Sequence, residues 1–251
     1  MSLIETRMVG EVIELRLARP PVNALNDAVL AALIDALRAA AKGPARAIML
    51  SGRPGVFCAG LDVPELMTKD RAAMREFWKL FFDVQRDLAA CPLPLVAAIT
   101  GHSPAGGAVL AMYCDYRVMA QGPFKIGLNE VAVGIHPGPV IHGLLRRVVG
   151  PRRAELLLCT GRMMSPDEAL AFGIVDELTA PNDVVESALA WAQQVVRLPP
   201  AAVAATRAIA RADLVELVRT AALDGNQSPG DHWWDPETQA ALQALVQKLK
   251  K

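Results

Sequence analysis

What most constrains this chain is a change of period along it. Over roughly the first 130 residues, short apolar runs suited to buried strands alternate with amphipathic stretches of helical spacing, and beyond Pro137 helical spacing dominates. Such alternation builds an α/β fold, a largely parallel sheet covered by helices, with binding sites at the strand ends. Ile13, Leu15 and Leu17 alternate with Glu14 and Arg16, and Gly10 separates two such runs, so residues 2–18 read as a hairpin. Asn26 or Asp27 then caps a helix with the apolar stripe Val29, Leu30, Leu33, Ile34 and Leu37, which stops at Gly43. Residues 45–50 and 95–100 are apolar strands, and Met74, Phe77, Phe81, Val84 and Leu88 mark a second amphipathic helix between them. Short strands follow over 116–120 and 124–127. Stop signals at Gly150, Gly161, Pro181, Pro199–Pro200 and the GNQSPGD segment divide the remainder. A minor split near residue 195 gives a core over 1–195 and a C-terminal helical region over 196–251.

Charge and cysteine content exclude several functions. Lys+Arg and Asp+Glu are 26 each, so no basic excess is available to neutralise a phosphate backbone, and no nucleic-acid partner is expected. Cys58, Cys91, Cys114 and Cys159 lie far apart with no CxxC pair, which suits free buried thiols in a reducing compartment better than a disulfide or metal set. His136 and His142 flank PGP at a spacing that does not place two ligands on one helix face, so no metal is expected. The start, MSLIETRMVGEVIEL, lacks a basic segment followed by an apolar run. The longest uncharged stretch, Leu88 to Cys114, is broken by prolines and glycines. A cytoplasmic protein with no membrane partner is the expectation.

Three segments are suited to chemistry. In FCAGLDVPEL (Phe57–Leu66), Asp62 with Glu65 three residues on resembles a capping box, which leaves the Ala59-Gly60-Leu61 backbone at a positive helix end. An ordinary strand-to-helix turn explains the same residues. In AAITGHSPAGGAVLAMYCD (Ala97–Asp115), Ala105, Gly106 and Gly107 open a helix after a buried strand, either for tight packing or to aim free N–H groups at developing negative charge. In FKIGLNEVAVGI (Phe124–Ile135), Glu130 is a lone acid in an apolar run. It is either a helix-surface residue or a carboxylate whose pKa burial raises toward that of a proton-transfer group.

In this order and spacing the segments resemble the crotonase (enoyl-CoA hydratase/isomerase) superfamily, from RPPVNALN (Arg19–Asn26) through SPDEALAFGIVDEL (Ser165–Leu178). The resemblance implies a spiral of ββα units with a helical C-terminal trimerisation region, assembling as a trimer or hexamer. It implies an acyl-CoA thioester substrate, with CoA as part of the substrate and no separate cofactor. The thioester carbonyl would sit between two backbone N–H groups, which map to Leu61 and Gly106. Ala24, Leu25, Ala59, Gly60 and Asp62 would flank the CoA nucleotide and its arm. Hydratases of the family hold a water between two glutamates. The first of these positions is Val109 here and the second is Glu130, so a two-carboxylate hydration is not supported. PAGGAVLAMYCDYRVMA and IGLNE are similar to mitochondrial-type Δ3,Δ2-enoyl-CoA isomerases, which work with one glutamate. The expected reaction is the shift of 3-enoyl-CoA to trans-2-enoyl-CoA, with Glu130 catalytic and Asn129 either contacting substrate or fixing the turn.

Three alternatives stand beside it: a related hydratase reaction, a non-catalytic acyl-CoA binder, and an α/β-hydrolase. GHSPA (Gly101–Ala105) is close to a nucleophile elbow, and Asp213 or Asp224 and then His232 follow in hydrolase order. The residue after Ser103, however, is Pro104, which has no N–H to offer an oxyanion.

Overall fold

The computed structural model describes residues 2–223 and 230–249. Strands β1 (Ile4–Val9) and β2 (Val12–Leu17) form the expected hairpin, turning through Gly10 at φ +61°. β2 then pairs in parallel with β3 (Ala47–Ser51), β3 with β5 (Leu95–Ile99), β5 with β7 (Tyr116–Ala120), and β7 with β9 (Glu177–Thr179). A second, parallel three-stranded sheet runs β4 (Gly55–Val56), β6 (Gly101–Pro104) and β8 (Ile126–Gly127). The chain therefore repeats one move. It leaves the large sheet, adds a short strand to the small sheet, and enters a helical segment before returning, which is the ββα spiral.

The helices behave as their patterns require. α1 (Asp27–Lys42) is capped by Asn26, whose side chain accepts from the Val29 N–H, and buries Val29, Leu30, Leu33, Ile34 and Leu37. α3 (Arg71–Ala90) buries Met74, Phe77, Phe81, Val84 and Leu88. Between them, the short α2 (Val63–Leu66) is capped by Asp62. α4 (Gly106–Met112) is buried along its whole length.

Parallel strands covered on both faces need apolar residues at every position. In β5, Leu95, Ala97 and Ile99 face the main core, whereas Val96 and Ala98 join the second cluster with Ala188, Ala192 and Val196 of α8 (Val184–Val196). The remaining helices are α5 (Gly138–Val149), α6 (Pro151–Thr160), α7 (Pro166–Phe172), α9 (Pro200–Ala210), α10 (Ala212–Leu223) and α11 (Pro236–Leu249). Leu214 and Val218 of α10, Leu242 of α11, and Trp233 in the 3-10 turn before α11 are part of the same core as α1 and α3. Arg211 is buried and donates to the carbonyls of Leu88 and Tyr113 and to Asp115 at 2.8–3.0 Å, which ties α10 to the ends of α3 and α4.

Several expectations are corrected. The strand expected over 124–127 is confined to Ile126–Gly127. GHSP, which lies outside every expected strand, is itself β6, and β9 lies within the mainly helical second half. Glu65 does not close a capping box; its carboxylate accepts from Asn26 and Arg19 instead. Of the pair Trp233-Trp234, which the sequence leaves between an exposed docking patch and the commoner anchor against the body, Trp233 is an anchor, buried edge-on against Trp78. Cys58, Cys91 and Cys114 are buried as expected, but Cys159 is exposed. The GNQSPGD stop lies mainly outside the described residues, as do Asp224 and the last two lysines.

Candidate active site

The site begins where two loops touch. After β4 the chain runs through Phe57 and Cys58, whose N–H groups both donate to the His102 carbonyl, and reaches Gly60 at φ +82°. A Cβ on Gly60 would stand 3.1 Å from the Pro104 carbonyl oxygen and 3.4 Å from the Gly106 nitrogen. Glycine thus allows the 59–62 loop to lie directly on the start of α4. Gly107 does the same one residue later, since its Cβ would stand 2.3 Å from the Cys58 carbonyl oxygen. Tight packing and close backbone approach, alternatives in sequence, are here one arrangement.

Ala105 precedes α4 at φ +46° and ψ −118°, a rare conformation for a residue with a Cβ. Such strain persists only where the surroundings impose it, and it sets the plane of the peptide that ends in the Gly106 N–H. Among the described residues, neither the Leu61 nor the Gly106 N–H takes part in the turn, loop and cap hydrogen bonds. Both residues line a cavity of about 520 Å³.

Glu130 lines the same cavity. It opens a 3-10 turn, Glu130–Val133, that follows β8 and closes at Gly134. Its Oε2 is buried with no hydrogen-bond partner. Burial lifts the carboxyl from its ordinary 4.5 to about 7, against a smaller opposing pull from its own backbone N–H. Asn129 lines the cavity beside it; its carbonyl accepts from the Ala132 N–H, while its side chain makes no cap bond and leaves Oδ1 unpartnered. Turn fixing is therefore done by the Asn129 main chain.

Ala24, Ala59 and Asp62 also reach the cavity wall. Leu25 and Gly60 do not: Leu25 is fully buried behind it, its N–H bonded to the Gly60 carbonyl and its carbonyl accepting from the Asp62 N–H. Those two hold the wall in place. Val109 is buried inside α4 and does not line the cavity. Ser103, the elbow candidate, is buried as well, while Asp213 pairs with Arg147 and His232 with Asp235, so no triad assembles. Among the described residues no group of three or more His, Cys, Asp or Glu is placed to hold a metal, and no helix is long and apolar enough to cross a membrane.

Sequence reasoning missed much of the wall. Arg19 sits at the cavity and pairs with Asp62 at 2.6 Å and Glu65 at 3.2 Å. The apolar end is built by Trp78, Phe81 and Phe82 of α3 together with Leu245 and Leu249 of α11. The sequence leaves open whether an acyl tail lies along the Phe77–Phe82 helix or the last helices, and the cavity is lined by both. The result is a largely apolar channel with one unpaired carboxylate and two backbone donors, suited to lifting a proton beside a carbonyl and holding the oxyanion that forms.

Comparison with known proteins agrees with this architecture. The enoyl-CoA hydratase/isomerase family model matches residues 7–251. A probable enoyl-CoA hydratase of Mycobacterium avium is 37% identical over 195 residues, 77% of this chain and 76% of that one. Human mitochondrial enoyl-CoA delta isomerase 1 is 36% identical over 212 residues, 83% of this chain and 70% of that one. The crystal structure of the human mitochondrial delta3-delta2-enoyl-CoA isomerase superposes with a TM-score of 0.94 at 32% identity, covering 99% of this chain and 98% of that one. With the ββα spiral and the cavity in place, these matches settle that the chain belongs to the enoyl-CoA hydratase/isomerase family.

Proposed function

We propose that this enzyme shifts the double bond of a 3-enoyl-CoA to give trans-2-enoyl-CoA. The observation that carries the reading is the solitary state of Glu130: it is the unpaired carboxylate on the cavity wall, and Val109, the position that the resemblance assigns to a second glutamate, is a buried valine. Water held between two carboxylates has no place in such a site.

The thioester oxygen accepts from the Leu61 and Gly106 N–H groups. Glu130 takes a proton from C2, and the C–H electron pair forms the C1=C2 bond of the enolate as the carbonyl pair moves onto oxygen. The oxygen pair then returns, C2=C3 forms, and the former C3=C4 pair takes the proton from Glu130 at C4. One carboxylate serves both transfers, and donors aimed at the oxyanion lower both barriers. The acyl tail extends between α3 and α11, and the CoA arm leaves past Ala24, Ala59 and Asp62. CoA belongs to the substrate and no separate cofactor enters. The enzyme works as a cytoplasmic trimer or hexamer.

The test supplies 3-enoyl-CoA and 2-enoyl-CoA separately in oxygen-labelled water. Consumption of 3-enoyl-CoA without label uptake is expected. Because Glu130 must be ionised to start, kcat/KM should fall about tenfold per pH unit below about 7. Consumption of only the 2-enoyl substrate with label uptake makes the chain a hydratase. Binding of either without turnover makes it an acyl-CoA binder.

A further inference from the structure

We propose that Thr238, on the C-terminal helix, is a positioning residue for Glu130: it clamps the turn that carries the carboxylate from the side of the acyl channel. This rests on the isomerase reading and deepens it. The Thr238 hydroxyl donates to the Gly134 carbonyl at 2.6 Å, and Thr238 is 4% exposed. Gly134 ends the Glu130–Val133 turn at φ +73°, and a Cβ there would stand 2.9 Å from the Thr238 Cα. The glycine is thus what lets α11 seat directly on the turn. From the opposite side Gly161, at the end of α6, presses on the same turn, its Cβ position lying 2.9 Å from the Val131 side chain and 3.5 Å from the Asn129 Cα.

Backbone bonds within the turn fix its shape but not its place against the cavity. Ala132 N–H donates to the Asn129 carbonyl at 3.0 Å, Gly134 N–H to the Val131 carbonyl at 3.2 Å and also to that of Glu130, and Ile135 N–H to the Glu130 carbonyl at 3.0 Å, while the Asn129 side chain gives no cap bond. Its position is therefore set by the two helices that grip it. α11 is fixed at its start, where Gln239 donates to the Trp233 carbonyl at 2.6 Å and Trp233 packs on Trp78, and it lines the acyl channel further on with Leu245 and Leu249. One rigid helix thus touches both the place where the tail lies and the turn that aims the base. The other charged or titratable groups on the cavity wall are Arg19, Asp62 and His136. Arg19 and Asp62 pair with each other, and His136 lies edge-on to His232, so none of them holds Glu130.

Thr238→Val keeps the shape and removes the hydroxyl. With 3-enoyl-CoA, kcat should fall roughly 10- to 100-fold, the scale of a misplaced catalytic group, with KM within about twofold. The acid midpoint of the pH–rate profile should move down from about 7 as water reaches the loosened carboxylate. Thr238→Ser should restore both. Thr238→Ala, which removes the same oxygen with less bulk, serves if the valine variant does not fold. Parent kcat and an unmoved midpoint overturn the clamp. If the parent turns over no 3-enoyl-CoA, the substrate reading has failed and the clamp is read on stability instead. The pH above which the stabilisation by Glu130→Gln stops growing should then be lower in a Thr238→Val background, and the same pH in both backgrounds overturns it.

Discussion

A carboxylate that takes and returns a proton needs a pKa near the working pH, and Glu130 reaches about 7 through burial, with no neighbouring charge pushing it there. That has a cost for folding. The folded-state value lies above the unfolded one, so between pH 4.5 and about 7 the native protein holds a proton that the unfolded chain has released. Stability therefore falls as pH rises through this window, and the loss is complete above it. Glu130→Gln does not titrate, so its stability relative to the parent should improve by up to about 3 kcal/mol from the bottom to the top of that range. Urea titrations of both proteins at acid, middle and alkaline pH read this directly, and a constant offset would show that Glu130 is not desolvated. The same variant should lose ~10²–10⁴ of turnover while binding a saturated acyl-CoA as the parent does. At this scale much of the site is legible in sequence. A lone acid in an apolar run, an Asp cap and a glycine pair after a strand each carry a local signal, and Glu130, Asp62, Leu61 and Gly106 meet at one cavity. Thr238 carries none, because its partner Gly134 lies 104 residues away.

At the scale of elements, what the sequence reveals depends on length. α1 and α3 show their periods because they run 16 and 20 residues, with Asn26 and Asp70 as caps. The strands of the small sheet run two to four residues, too short for alternation to register; β8 is expected, over 124–127, but β4 and β6 are not. What marks them instead is glycine at backbone contacts. Gly101 in β6 lies so close to β4 that a Cβ there would stand 2.0 Å from the Gly55 carbonyl carbon. No side-chain rotation relieves a clash with backbone, so one strand must move. Gly101→Ala should destabilise at the upper end of the 1–3 kcal/mol of overpacking, or about 3 kcal/mol. It should also depress activity, because β6 leads into Ala105 and Gly106. By contrast Gly10→Ala meets nothing within 4 Å and carries only the strain of its φ of +61°. Comparing the two midpoints of chemical unfolding separates close packing from backbone strain, and equal losses would count against the small sheet as a structural necessity.

At the scale of the whole molecule, one surface is left without a partner among the described residues. α9 has the sequence PAAVAATRAIA and not one buried residue, although most of its side chains are apolar. Ile209 on it is 81% exposed and Leu198 just before it 51%. The helix is held by Arg207, which pairs with Asp115 and donates to the Cys91 carbonyl, so it is fixed in place with its apolar face outward. The formal net charge is zero, so no long-range repulsion opposes association of copies. Single exposed apolar residues are ordinary, but a whole helix of them on a rigid mount is the pattern of a surface covered by another subunit. Light scattering at micromolar concentration should therefore give a multiple of the 26.8 kDa chain, and three or six is the multiple that the family resemblance implies. Ile209→Glu places a charge in the centre of that face, where burial without a counter-ion is costly, and should shift the mass toward 26.8 kDa. Because Glu130 and its clamps all come from one chain, the dissociated variant should keep the parent's acid midpoint in its pH–rate profile. A parent that is already monomeric would show that α9 meets only solvent, and a variant that stays assembled would place the interface on another face.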